Sequence, residues 1–138
     1  MLEAFLKPDR VVHAHCDVPC GVYDPAQARI EAESVKAIQE RLQDPEGKKS
    51  ATESAEEYTT RCIVIKEERA DLVKHHLWVL WTDYFKPEHL EKYPDLHEKF
   101  WNATKLAGAS KKASDPAQGQ SLLDAIDELG KIFWETKS

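Results

Sequence analysis

The tetrapeptide Asp-Pro-Ala-Gln occurs twice, at 24–27 and at 115–118, and each copy opens a run of apolar residues at helical spacing. In such a start the aspartate caps free N–H groups and proline takes the first helical position, where its fixed φ fits. Glutamine then stands where a capping box places its second partner. Behind the first copy, Ala28, Val35, Ile38 and Leu42 fall near one face, until Asp44-Pro45-Glu46-Gly47 stops the run. Behind the second, Leu122, Ile126, Leu129 and Phe133 form a seam. Two further helices lie between. A long one, about 51–84, carries Tyr58, Cys62, Ile65, Leu72, His76 and Val79 in steps of three, four or seven. Its last part, Leu77 to Trp81, is apolar nearly all round and should be buried on more than one side. The other opens at Pro87, is kinked or restarted at Pro94, and has the stripe Leu96, Phe100, Ala103 and Ala107 before a loop from Gly108 to Ser114. No alternating pattern argues for strands. These patterns predict an all-α fold, a mainly antiparallel four-helix bundle spanning 24–138.

A chain of 138 residues is long enough to bury a core of its own. Its charge, 19 − 25 = −6, disfavours nonspecific binding to nucleic acid or to an anionic membrane. The apolar run Leu77 to Thr82 is far too short to span a bilayer. Met1 to Ala14 is interrupted by Glu3, Lys7, Pro8, Asp9 and Arg10 and lacks the apolar centre of an export signal. It reads as a leader of another kind, which points to a cytoplasmic protein. Three cysteines argue against a full disulfide framework, and in a reducing compartment a close pair points to metal binding or redox chemistry.

One segment belongs to no helix: His15-Cys16-Asp17-Val18-Pro19-Cys20-Gly21-Val22-Tyr23. An imidazole and two thiols lie within six residues, with a proline and a glycine to bend the backbone. Such a loop can bring all three donors to one ion. Two thiolates with nitrogen donors suit zinc, copper or nickel, and spacing alone does not choose among them. The competing reading is a reducible disulfide or two idle thiols.

This segment resembles the nickel hook of nickel superoxide dismutases, H-C-x-x-P-C-G-x-Y. The similarity continues through Ala26 to Glu33, Arg61 to Arg69 and His75 to Pro87. Val18, where leucine is common, is a conservative difference. The resemblance implies an N-terminal metal-binding hook (15–23) on a helical bundle, with a leader (1–14) cut off by a protease between Ala14 and His15. It implies one nickel ion per subunit, held by the new amine of His15, the amide nitrogen of Cys16 and the thiolates of Cys16 and Cys20, with the His15 imidazole binding the oxidised metal. The substrate implied is superoxide, disproportionated by Ni(II)/Ni(III) cycling. Glu31 and Arg61 would orient the His15 imidazole, while Asp17 and Tyr23 would restrict approach to the open face and hold water. The family forms a hexamer in which neighbouring subunits sequester the hooks.

The cleavage has a chemical reason. A free α-amine titrates near neutrality and then offers a lone pair, whereas the same nitrogen in a peptide bond is delocalised.

Other residues read as structural. Cys62 is expected in the core. His75 and His76 are adjacent on a helix and point about 100° apart. His89 and His97 have no partner at ligand spacing, and His13 leaves with the leader. The sequon at Asn102 has no export route. Lys66 and Arg69 could steer an anion, but a solvated face is the plainer expectation for both. Two other functions fit the same residues, a non-catalytic nickel or copper carrier and a helical thiol switch.

Overall fold

The computed structural model describes residues 21–137. Regular structure among them is helical: α1 (Ala26–Arg41), α2 (Pro45–Lys48), α3 (Ala55–Val79), α4 (Pro87–Lys92), α5 (Leu96–Lys112) and α6 (Pro116–Lys137). A π-helical turn, Leu80–Tyr84, extends α3. Four long helices form a ring in which α1 packs on α3 and α6, and α5 packs on the same two. Cross-helix pairs give the directions. Arg29 of α1 meets Asp127 of α6, while Lys36 meets Gly119. On the opposite side Asp71 of α3 pairs with Lys111 of α5, while Trp81 stacks on Phe100. Both pairs of helices are antiparallel, as the bundle expectation required. No described helix is long and apolar enough to cross a membrane.

The helix starts follow their chemistry. Asp24 Oδ1 accepts the Ala26 N–H at 2.8 Å, and Asp115 Oδ1 accepts that of Ala117 at 2.9 Å. A full reciprocal box forms at Ser54, whose Oγ accepts the Glu57 N–H at 3.1 Å while Glu57 Oε2 accepts the Ser54 N–H at 2.8 Å. That box starts α3 at Ala55 rather than Ala51.

The expected seams of α5 and α6 are buried: Leu96, Phe100, Ala103 and Ala107 face Leu122, Ile126, Leu129 and Phe133 across one core. The seam of α3 is different. Cys62, Lys66, Ala70, Val73 and Leu77 point inward, while Ile65 is 38% exposed. The apolar end of α3 is likewise buried on one side only, through Leu77 and Leu80, and leaves Trp78 46% exposed. Within one chain, α1 and α5 cover only one side of this helix.

Lys66 is therefore not on a solvated face; it is 2% exposed. Its ammonium donates to the Ala113 carbonyl at 2.6 Å, which also accepts from the Gln39 amide at 3.1 Å. Gln43 donates to the next carbonyl, Ser114, at 2.6 Å. These side chains satisfy carbonyls left unpaired where α5 ends, at the negative end of its dipole. Burial pushes the Lys66 amine below its ordinary value. Lys66→Ala should cost about 2–4 kcal/mol, because it empties a filled site. Lys66→Met should change stability by less than about 1 kcal/mol, since the lost hydrogen bond is offset by the lost desolvation cost. Urea denaturation of both variants measures the difference. At this same end a Cβ on Gly119 would lie 2.8 Å from the Lys36 Cα, so the glycine permits the close approach of α1 and α6.

Candidate metal centre

The residues expected to hold the metal, His15, Cys16 and Cys20, lie outside the described residues together with Asp17. The structure describes what receives them. Gly21 has φ 68°, a left-handed conformation that glycine adopts without the penalty other residues incur. Among the described residues a Cβ there would meet nothing within 4 Å, so backbone conformation is what calls for glycine.

Two residues on, Tyr23 packs against the core with its ring 5.6 Å from that of Tyr84. Tyr84 rests in turn on Phe133, ring centroids 4.3 Å apart, and its hydroxyl is 2.8 Å from Thr136 Oγ1. Phe85 lies edge-on to Tyr84 at 5.0 Å. The π-helical turn makes this possible: the Phe85 N–H reaches back five residues to the Leu80 carbonyl at 3.1 Å. The widened turn brings Tyr84 and Phe85 both onto the end of the bundle where α1 begins. The last described residues of the candidate hook thus stand on an aromatic floor built by α3 and α6.

Glu31 lies on α1, and its side chain is 16% exposed. Its carboxylate accepts from Arg69 Nη1 at 3.2 and 3.4 Å. Arg61 stands two turns earlier on α3, roughly 12 Å farther along the helix. It pairs with Glu53, and that hydrogen bond holds the Glu53 carboxyl below its ordinary value. Within one chain, then, Glu31 and Arg61 are bound to different partners. Sequence reasoning missed Arg69 as the partner of Glu31. Arg69 is not a free cation on a solvated face but a half-buried one held by a carboxylate.

His76 is half-buried close to this pair. Burial pushes its imidazole below the ordinary 6.5, helped by His75 and opposed by the charge of Glu31. An unfolded chain protonates His76 near 6.5, where the folded chain still keeps it neutral, so unfolding takes up a proton. Well above 6.5 there is no effect; stability falls as pH drops below 6.5 and levels off beneath the lower folded pKa. Urea denaturation at two pH values, one on each side of 6.5, should show a smaller acid loss in His76→Gln than in the parent.

The remaining histidines and the third cysteine have structural roles. The rings of His75 and His76 meet edge to face at 5.4 Å. His97 Nδ1 accepts from the Trp81 indole at 2.5 Å, and His89 Nδ1 accepts the Lys86 N–H at 3.1 Å, capping α4. Cys62 is free and buried. Among the described residues no group of three or more His, Cys, Asp or Glu could hold a metal ion. The imidazole and two thiols within 15–20 are donor types that suit nickel among other soft metals, and Gly21 and Tyr23 fix where that segment joins the bundle.

Known proteins resemble this chain over nearly its whole length. The profile of the family described as nickel-containing superoxide dismutase matches residues 10–137. The chain is 55% identical over 137 residues to a curated Superoxide dismutase [Ni] of Streptomyces coelicolor (strain ATCC BAA-471 / A3(2) / M145), covering 99% of this chain and 98% of that one. It is 56% identical, with the same coverage, to the protein of that name from Streptomyces seoulensis. Among solved structures, a native nickel superoxide dismutase at 1.30 Å superposes with a TM-score of 0.78 at 57% identity, covering 89% of this chain and 98% of that one.

Proposed function

The chain belongs to the nickel-containing superoxide dismutase family, and from that premise we propose that it disproportionates superoxide at a nickel centre built by residues 15–23 once residues 1–14 are removed. The observation that carries the site is the uninterrupted hook motif from His15 to Tyr23, lying inside a family match that runs from 10 to 137. Nickel, when bound, would supply the one-electron chemistry by which two superoxide ions and two protons become dioxygen and hydrogen peroxide.

The chain's own residues do the rest. The free amine of His15, the amide nitrogen of Cys16 and the thiolates of Cys16 and Cys20 hold the metal, with the His15 imidazole as a further donor. Anionic sulfur and nitrogen donate charge and so favour the higher oxidation state. Asp17 and Tyr23 restrict approach to the open face and hold the water that delivers protons. Tyr23 has the support this needs, because its ring is backed by Tyr84 and Phe133. Glu31 would accept from the His15 imidazole, with its carboxylate held in place by Arg69. Arg61, which the resemblance places in the same network, is bound to Glu53 within the chain, and neighbouring subunits of a hexamer would sequester the hooks. The surface exposure of Trp78 and Trp101, 46% and 57%, suits a chain that assembles. A protease cuts before His15, and the enzyme works in the cytoplasm.

The test is to supply nickel to the chain beginning at His15, then measure metal content and superoxide removal together. One nickel per chain with turnover is expected. Nickel held without turnover would make the protein a carrier, and no nickel at all would remove the hook assignment.

A further inference from the structure

We propose that the groove between the start of α1 and the last turns of α6 is the docking site of the chain's own leader, residues 1–14, before it is cut off. The inference rests on the leader assignment made above. The groove has a volume of about 800 Å³. Its lining includes Pro25, buried Ile126, Gly130, Trp134 at 53% exposure, and the Arg29–Asp127 ion pair at 2.8 Å. Lys131 and Glu135 add one charge of each sign to the lining.

Three observations point to the leader as occupant. The first is where the chain enters. Asp24 and Pro25 line the groove and stand at the start of the described bundle, three and four residues after Gly21, so the leader is tethered close by in sequence. Six residues, 15–20, separate the leader from Gly21 and can span roughly 20 Å, ample for a return into an adjacent groove. The second is the leader's pattern. Leu2, Phe5 and Leu6 recur at the spacing of one helical face, an apolar stripe of the size that Trp134 and the groove floor can receive. Glu3, Lys7, Asp9 and Arg10 flank the stripe with charges of both signs, matching the mixed lining. The third is Gly130. Among the described residues a Cβ there would meet only Pro25, at 3.8 Å, an ordinary contact, so packing of the described helices does not require the glycine.

The tether makes a weak contact sufficient. A short flexible connection gives an effective concentration on the order of millimolar, so an intrinsic Kd of about 0.1 mM keeps the groove mostly filled. Cutting before His15 removes the tether, and at micromolar protein the same contact empties. Release of the leader then needs no further force.

The experiment uses metal-free protein and the indole N–H resonance of Trp134, assigned by its loss in Trp134→Phe. The full chain is expected to differ at this resonance from the chain beginning at His15. A full-length Phe5→Asp, Leu6→Asp double variant, whose changes lie outside the folded bundle, should match the shortened chain. A synthetic peptide of residues 1–14 at millimolar concentration should move the shortened chain's resonance toward the full chain's. An identical resonance in the full chain and its double variant overturns the proposal. So does a resonance in the shortened chain that moves with its own concentration, which would give the groove to a second copy. Neither nickel nor turnover enters the measurement, so failure here leaves the dismutase reading standing, and failure of dismutation leaves docking to be judged by itself.

Discussion

In the chain beginning at His15, Cys20→Ser is expected to abolish superoxide disproportionation, lowering it to the rate seen without metal. The reason is the donor atom. A thiol becomes a thiolate at accessible pH, and thiolate is the form that binds metal, whereas a serine hydroxyl stays protonated and offers a harder, weaker donor. Losing one of two sulfurs removes both affinity for nickel and the electron donation that favours its oxidised state. Cys16→Ser has the same outcome. Cys62→Ala is the internal control: this thiol is buried against the core at 7% exposure and is no part of the hook, so the variant should keep full activity. Metal analysis and a superoxide assay on the three proteins, with circular dichroism to confirm an unchanged helical body, make the comparison. Full activity in either hook variant would refute the ligand assignment.

Phe133→Ala produces the largest loss of stability, about 3–5 kcal/mol, the range for removing a fully buried aromatic ring. Phe133 is 0% exposed, and its ring touches that of Tyr84 at 4.3 Å and lies near Phe85 at 6.5 Å. The loss is local as well as global, because Tyr84 is the ring on which Tyr23 leans. The variant should therefore lose activity beyond its unfolded fraction, measured where urea curves show the protein still folded. Phe133→Leu keeps most of the volume and should cost less than about 1.5 kcal/mol. A Phe133→Ala protein that is folded and fully active would separate the hook from its aromatic floor.

What the amino-acid order reveals here depends on how local the cause is. The hook motif stands out in the sequence because its donors sit within six residues, and the seams of α5 and α6 are legible because apolar residues mark most of their buried faces, buried Ser110 being an exception. Pro87 opens α4, and the break at Pro94 separates α4 from α5, as expected. The inward face of α3 was not readable, since a pattern of apolar residues passes over Lys66. That lysine is drawn inward by the carbonyl of Ala113, 47 positions away, which no local window contains. The same holds for the supports of the site. Arg69 meets Glu31 across 38 positions, and the ring of Tyr23 meets that of Tyr84 across the bundle, through a π-helical turn that has no periodic signature. Arg61, placed beside Glu31 by resemblance, is bound to Glu53 within the chain. The chemistry of the centre is written locally, and its scaffolding is written in the fold.

Removing fourteen residues should switch the protein on, and that is the claim most directly open to measurement. Two nickel-treated preparations are needed, one beginning at Met1 and one at His15, assayed side by side for superoxide removal. Turnover confined to the protein beginning at His15 is the result expected if its amine is a ligand. Equal turnover by both would contradict it.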